Sequence, residues 1–542
     1  MDSEIGPTRS AEFCPAQREK NRMASEERKM KLKMRDGLKT MEKNIKRSFS
    51  KEECSESIGV SGVSVYFPRL KVSLSDWCDW TGYPYEKVLS TVGNSFRMAA
   101  PSENIYTMAA NAVLKLILNY NIDPQGIGFL GLGTESSNDN SAGAIIVKGM
   151  VNRALEQLGR SKISRQCEVP EFKHACLGGI YALKNALRYL ATDGKGRSAI
   201  VVSVDIAEYE PGSSGEPTQG AGAVAQLLEN NPKLYAVDLE NSGSASDYRG
   251  IDFRKPHLRH LYVPPLENAI RLHDYPVFNG KFSTICYTDQ AIQATMVLLE
   301  KLGLTFQQLC GELEGFFFHR PFSKMPVNIF AALYIWGLTR SCDNRKQLSA
   351  LSVDAEVDLE EVMTEAHSRP DLYKHAMNGC LNEEIYPEAM KLVKFFRRSK
   401  GYQDIVSTKM HLGTALMLDV GNIYTGSLAA WCAAGIEEAF EQGYDLTSKV
   451  FFTLGYGSGD AAEAMLIKIS PTWRDYAAKI GFQKSLENPI ELTKRHYEQI
   501  QKGLPIDNRF SVPQIGFVID RVGKSVDPQF QDRGIQYYKF VG

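Results

Sequence analysis

The sequence has no apolar run near the ~20 residues that a bilayer-spanning helix needs, so no membrane segment is expected. Nor does it carry the apolar core of a secretory signal. An excess of charge of one sign is missing too. The chain has 63 Lys and Arg against 64 Asp and Glu, a net charge of −1, which gives no reason to expect a nucleic-acid partner. No C-x-x-C pair occurs, and none of the ten cysteines joins a histidine at zinc-finger spacing. Reduced thiols in a cytoplasmic setting follow, most of them small buried apolar groups. No metal is expected.

What is present is bulk. With 542 residues, 43% of them hydrophobic, the chain can bury a large core as one domain or two closely packed halves. Residues 18–51 are dense in Lys and Arg with acids mixed in, and poor in large apolar groups. We read residues 1–57 as a basic, disordered or weakly helical extension. A targeting presequence is the sharper reading, but Glu26, Glu27, Asp36 and Glu42 count against it. Start sites at Met23 or Met34 are a further alternative.

The ordered part begins near Ile58. "SIGVSGVSVYFPRLKV" alternates like a strand up to Pro68, and residues 102–120 form an amphipathic helix capped by Ser102. "GIGFLGLGTES" (126–136) is a buried strand running into small polar residues. "SAIVVSVDIA" (198–207) is typical of a strand covered on both faces. The second half repeats this order. "GNIYTGSLAAWCAAGIEEAF" enters a helix and then the strand "KVFFTLGYGSG", as "CLGGIYALKNALRYL" leads to "SAIVVSVDIA" about 250 residues earlier. The expectation is a layered α/β architecture from a duplicated unit, with halves at 58–265 and 266–542. Helices at 286–302 and across much of 345–400 read as insertions on the second half.

Three residues could carry chemistry. Cys176 sits where a helix begins, so backbone amides could lower its pKa, and Gly178 and Gly179 could clear an approach for an acyl thioester. Taken alone, it reads more readily as a buried structural cysteine. His319, in "GFFFHRPFSKMP", ends an apolar strand beside Arg320 and Lys324, which suits the mouth of a pocket for an anionic substrate. A satisfied strand-end histidine is the plain alternative. Glu135, in "GLGTESSND", stands at the end of a buried strand and could have a raised pKa as a general base, or be a surface-loop carboxylate.

Their order resembles that of the 3-hydroxy-3-methylglutaryl-CoA synthase family of the thiolase superfamily. The resemblance rests on "GTES" (133–136), "ACLGGIYALKNAL" (175–187), "VVSVDIAEY" (201–209), "PTQGAGAVAQLL" (217–228), "DFRKP" (252–256), "FFHRPFSK" (317–324), "VGNIYTGS" (420–427) and "LGYGSGDAAEAML" (454–466). It implies a thiolase-like αβαβα fold and a condensation of acetyl-CoA with acetoacetyl-CoA. Cys176 would accept acetyl, Glu135 would deprotonate its methyl group, and His319 would orient the second substrate. The resemblance also implies that Asn422 and Ser458 line the pocket, the serine's amide and that of the cysteine forming an oxyanion hole. Asp205, Tyr209, Asp252 and Tyr424 would give polar support, Thr218 would join the substrate-binding set, and Lys324 would meet the CoA phosphates. CoA thioesters would be substrates and no cofactor is implied; a homodimer is the family expectation.

Leu177 departs from the aromatic residue common after the nucleophile, His174 from an asparagine or similar residue, and Gln219 from a glycine. Rival readings are the same condensation on an acyl-carrier-protein-bound acetoacetyl group, a ketoacyl synthase III, and a non-catalytic acyl-CoA-binding homologue. The glutamate of "GTES" argues against the ketoacyl synthase, because decarboxylation makes a carbanion without a base.

Overall fold

The computed structural model describes residues 57–257, 273–504, 506, 507, 510 and 515–542. The expected basic extension, all but its last residue, and the expected seam at 265/266 lie outside the described residues. Among the described residues, no helix is long and apolar enough to cross a membrane.

The architecture is mixed α/β around a nine-stranded sheet. Its eight main strands are β1 (Ile58–Tyr66), β2 (Ile127–Gly133), β3 (Ser198–Ala207), β4 (Gly220–Asn230), β5 (Tyr235–Ser246), β6 (Gly315–Phe318), β7 (Val450–Gly457) and β8 (Ala461–Ile469). A two-residue edge strand, Glu171–Phe172, pairs with β2. The order is edge–β2–β3–β4–β1–β5–β8–β7–β6.

The duplication is written in this order. From β1 outward the partners are β4, β3 and β2, joined antiparallel, antiparallel and parallel. From β5 outward they are β8, β7 and β6, joined in the same sequence of senses. The two units meet along only two residue pairs, Gly59 with Ala236 and Val60 with Tyr235. Topology therefore restarts at β5.

Four helices complete the repeat: α1 (Ile105–Asn119), α2 (Gly178–Ala191), α3 (Gly280–Leu302) and α4 (Ser427–Glu441). Helix α1 lies between β1 and β2 in the chain and packs on β1, β3 and β4; α3 lies between β5 and β6 and packs on β5, β7 and β8. The stretch at 286–302 is thus no insertion. It is the core counterpart of α1, buried through Phe282, Ile285, Cys286, Ala291 and Leu298. Helix α1 begins differently from expectation as well. Its cap is Asn104, which forms a capping box with Thr107, so Ser102 stands outside the helix.

Candidate active site

Helices α2 and α4 occupy equivalent places in the two units, and the loops that enter them converge. Helix α2 approaches β2 and β3 through glycine. A Cβ on Gly179 would lie 2.2 Å from Ser203 Oγ and 2.8 Å from the Thr425 carbonyl, and one on Gly133 would lie 2.4 Å from Gly179 Cα. Gly178 is as tight, with the Phe172 carbonyl 2.8 Å away. These glycines let backbone meet backbone. They do not clear the substrate approach expected of them.

Cys176 lies two residues ahead of α2 and is buried. Its Sγ is 3.8 Å from Glu135 Oε2, so nucleophile and base candidates stand side by side. Around the thiol, Ala207, Tyr209 and Tyr424 form a buried cluster that Phe253 and Phe278 cover. Tyr209 meets Phe253, Phe278 and Tyr424 edge to face.

Asp205, near the end of β3, holds this arrangement. It is wholly buried. One oxygen accepts from Thr134 Oγ1 (2.9 Å), Glu135 N (2.8 Å), Ser136 N (3.1 Å) and Ser136 Oγ (2.8 Å). The other accepts from Thr425 N (3.0 Å) and Thr425 Oγ1 (2.6 Å). One carboxylate thus ties the Glu135 loop of the first unit to the Thr425 loop of the second. With its acceptor capacity taken up, Asp205 is a positioning residue.

Asn422 serves the second loop. Its Oδ1 accepts from Tyr424 N (2.9 Å) and Ser427 Oγ (3.1 Å), its Nδ2 reaches the Tyr209 hydroxyl (3.4 Å), and its N donates to the Thr218 carbonyl (3.0 Å). Thr218 spends its hydroxyl on the Gly215 carbonyl. Gln219 turns its amide away, toward Tyr497 and Gln501. Leu177 fills space against Gly455 and Gly457 of β7, where any Cβ would collide with it.

His319 follows β6 and is buried; its carbonyl accepts from the Tyr287 hydroxyl at 3.0 Å. That tyrosine stacks on Tyr456 at 4.2 Å. Burial holds the His319 ring down to about 3, so it is a neutral imidazole. Ser458 stands directly after β7, whose last residue, Gly457, abuts the nucleophile loop. Asp252 accepts from Ser283 and Tyr456. Arg320 is buried, with its guanidinium 5.0 Å over Trp431 and a hydrogen bond to Ser323 Oγ (3.2 Å), and it lines a narrow cleft beside Thr218. Lys324 caps the helix Met325–Thr339 and its side chain enters none of these contacts.

The electrostatics reverse one expectation. Burial, then the charges of Glu135 and Asp205, push the Cys176 thiol well above its ordinary range. Preceding a helix does not offset two carboxylates behind the sulfur, so the thiol is neutral at rest. Burial and then Asp205 push Glu135 up to about 8, against the pull of Lys255 and Lys173. In its ionised form such a carboxylate is a stronger base than an ordinary one and can take the thiol's proton as the sulfur attacks. Glu135 also borders a cavity of about 1230 Å³ whose wall includes Arg153, Lys255 and Tyr538. Sequence reasoning gave no role to Tyr287, which lies in no quoted motif, nor to Thr425 and Asp460, which lie within "VGNIYTGS" and "LGYGSGDAAEAML".

Two family models match the chain: "Hydroxymethylglutaryl-coenzyme A synthase N terminal" over residues 54–233 and its C-terminal counterpart over 252–504. A hydroxymethylglutaryl-CoA synthase of Haloferax volcanii is 27% identical over 484 residues, covering 88% of this chain and 99% of that protein. The Saccharomyces cerevisiae hydroxymethylglutaryl-CoA synthase is 26% identical over 458 residues, 82% of this chain and 81% of the relative. Among solved structures, MvaS in complex with 3-hydroxy-3-methylglutaryl coenzyme A superposes with a TM-score of 0.69 at 23% identity, over 90% of this chain and all of that one. The curacin-pathway HMG synthase in complex with acetyl donor-ACP gives 0.64 at 18%, with the same coverage. The fold these structures share is thiolase-like. The chain belongs to the hydroxymethylglutaryl-CoA synthase family.

Proposed function

We propose that this protein condenses acetyl-CoA with acetoacetyl-CoA and water to give 3-hydroxy-3-methylglutaryl-CoA and free CoA, a step of mevalonate and isoprenoid synthesis. The observation that carries the reading is the 3.8 Å approach of Cys176 Sγ to Glu135 Oε2 inside a buried aromatic box. The sulfur attacks the acetyl carbonyl as its proton moves to Glu135, and CoA leaves as the thiol. The amides of Cys176 and Ser458 hold the oxyanion. Glu135, ionised again, takes a proton from the acetyl methyl group. The carbanion attacks the C3 ketone of acetoacetyl-CoA, and neutral His319 donates a hydrogen bond to the oxygen that becomes alkoxide. That alkoxide takes the proton back from Glu135, and water cleaves the enzyme thioester.

Lys324 contacts the CoA phosphates, and Thr218, Tyr209, Asp252, Asn422 and Tyr424 shape the acyl pocket. The chemistry asks for no resident cofactor, since CoA enters with the substrates. The enzyme acts as a cytoplasmic homodimer, a proposal carried from the family and tested by sedimentation. A second reading places the acetoacetyl group on an acyl carrier protein; a synthase of the same fold has been solved with acetyl donor-ACP. Turnover on CoA-bound against carrier-bound acetoacetyl thioesters separates the two.

The test is covalent acetylation. Labelled acetyl-CoA should place label on Cys176 and none on Cys176→Ala. Glu135→Ala should still take the label, more slowly because solvent must accept the thiol proton, but fail to condense, and His319→Ala should chiefly weaken use of acetoacetyl-CoA, read as a fall in kcat/KM for it. Wild-type protein that stays unlabelled would leave a non-catalytic acyl-CoA binder.

A further inference from the structure

The turn after β7 holds a buried acid that the reaction above does not use. Asp460, at the head of β8, is 2% exposed. Its Oδ1 accepts from Gly459 N and from the Tyr456 hydroxyl, each at 2.6 Å, while its Oδ2 is buried with no partner of its own. Beside it stand Asp252 and Cys286; a carboxylate oxygen of each acid and the thiol all lie within 4.8 Å of one another. The Tyr456 hydroxyl also reaches Asp252 Oδ2 at 3.3 Å.

Two carboxylates this close, out of water, do not both ionise. The cation nearby, Arg249, is taken by Asp289 and Asp247. His174 faces the pair from the nucleophile loop, but burial lowers its ring below the usual range despite the charge of Asp460, so it stays neutral. Burial, then Asp460, push Asp252 up to about 8, and the two carboxyls lie within hydrogen-bond reach of each other. A proton between them gives Asp460 Oδ2 its partner.

This pair stands behind both halves of the site. Gly457, where the turn begins, is jammed against the nucleophile loop: a Cβ there would lie 2.7 Å from the His174 carbonyl and 2.8 Å from Leu177 N. On the other side, the Tyr456 ring stacks on Tyr287, whose hydroxyl holds the His319 carbonyl.

We propose that Asp460 is a positioning residue that, sharing one proton with Asp252, fixes the Tyr456–Asp460 turn and thereby sets the Ser458 amide against the nucleophile loop and the tyrosine stack behind His319. The role rests on the acyl-transfer reading above. It needs an acceptor at one oxygen position and one end of a single hydrogen bond to Asp252 at the other; an asparagine supplies both, donating its amide to an ionised Asp252, and an alanine supplies neither.

The experiment compares full-length wild type, Asp460→Asn and Asp460→Ala in acetylation by labelled acetyl-CoA, in turnover with acetoacetyl-CoA and in metal content. Asp460→Asn should turn over as the wild type does. In Asp460→Ala, kcat should fall by about 100-fold, the effect of a misplaced reacting group, with KM for acetyl-CoA little changed. Should Asp460→Ala fail to fold, Tyr456→Phe takes its place; it keeps the ring stack, removes the hydroxyl between the two acids, and should lower kcat in the same sense. Asp460→Asn as impaired as Asp460→Ala, or Asp460→Ala (or its substitute) as active as wild type, overturns the inference. So does a stoichiometric divalent metal in the wild type that Asp460→Asn loses. Wild type that neither acetylates nor turns over removes the acyl-transfer reading instead.

Discussion

Replacing Glu135 by Gln separates what the carboxyl does in catalysis from what it does to stability. The side chain is 8% exposed with the Asp205 charge behind it, and burial and that charge carry it from an ordinary 4.5 to about 8. A raised carboxyl keeps its proton in the fold where the unfolded chain has released it. Its contribution to stability is therefore whole below pH 4.5 and is lost progressively as pH climbs toward 8. The displacement sets a ceiling of about 5 kcal/mol on that loss, at about 1.4 kcal/mol per pH unit. Gln has no proton to lose. Melting temperatures of Glu135→Gln and wild type should thus converge near pH 5 and separate by pH 8.5, with the variant the more stable. The same variant should accept acetyl slowly, with solvent taking the thiol proton, and condense about 10²- to 10⁴-fold more slowly than wild type, because only the ionised carboxyl removes a methyl proton. Wild-type condensation should accordingly rise with pH toward 8. Parallel melting curves from pH 5 to 8.5 would refute the placement of the proton on Glu135.

Asp205→Ala should destabilise by more than about 3 kcal/mol, since it strands buried donors on Thr134, Glu135, Ser136 and Thr425, and should slow turnover as well; chemical denaturation and kcat check it. Lys184 and Glu463 form a buried pair at 2.6 Å. Lys184→Met alone should cost about 3–5 kcal/mol, and Lys184→Met with Glu463→Met should regain most of it, as a double-mutant cycle will show. Gly179→Ala should cost about 1–3 kcal/mol by overpacking and lower activity, because its methyl would drive Thr425 and Ser203 from Asp205's side of the site; melting temperature and acetylation rate report both effects.

Much of this site was legible because it rests on local patterns. The strand at 198–207 has the bounds read from its β-branched run, and "GTES" and "HACLGG" marked the two loops that meet. What escaped was whatever depends on partners far along the chain. The charge state of Cys176 is set by burial and then by Glu135 and Asp205, so its place before a helix pointed the wrong way. Helix α3 looked like an insertion because its apolar positions do not form one stripe; it is buried on several sides against β5, β7 and β8. Arg320 read as a substrate contact from its charge alone, and only the fold shows Trp431 beneath it. Asp460 lies inside a quoted motif but carried no sign of its role, since an Asp after a glycine turn is ordinary until a second buried acid lies beside it.

The two units enter their core helices through the same elbow. Ala175 and Tyr424 each stand three residues before the helix, α2 or α4, and each has a left-handed backbone, with φ of 39° and 41°. Such a conformation costs a non-glycine residue on the order of 1–3 kcal/mol, so something must hold it in both places. In the second unit the holder is visible: Thr425, just past the strained Tyr424, gives both its N–H and its hydroxyl to Asp205. In the first unit Cys176 occupies the matching position and makes no such tie. Its sulfur faces Glu135, across from the hub that Thr425 satisfies. A serine or threonine at 176 would offer a hydroxyl in place of the sulfur; a cysteine at 425 would leave Asp205 short of its best donor. The repeat therefore supplies two equivalent positions, and catalysis depends on their being filled differently, one to anchor the carboxylate and one to be left free to react.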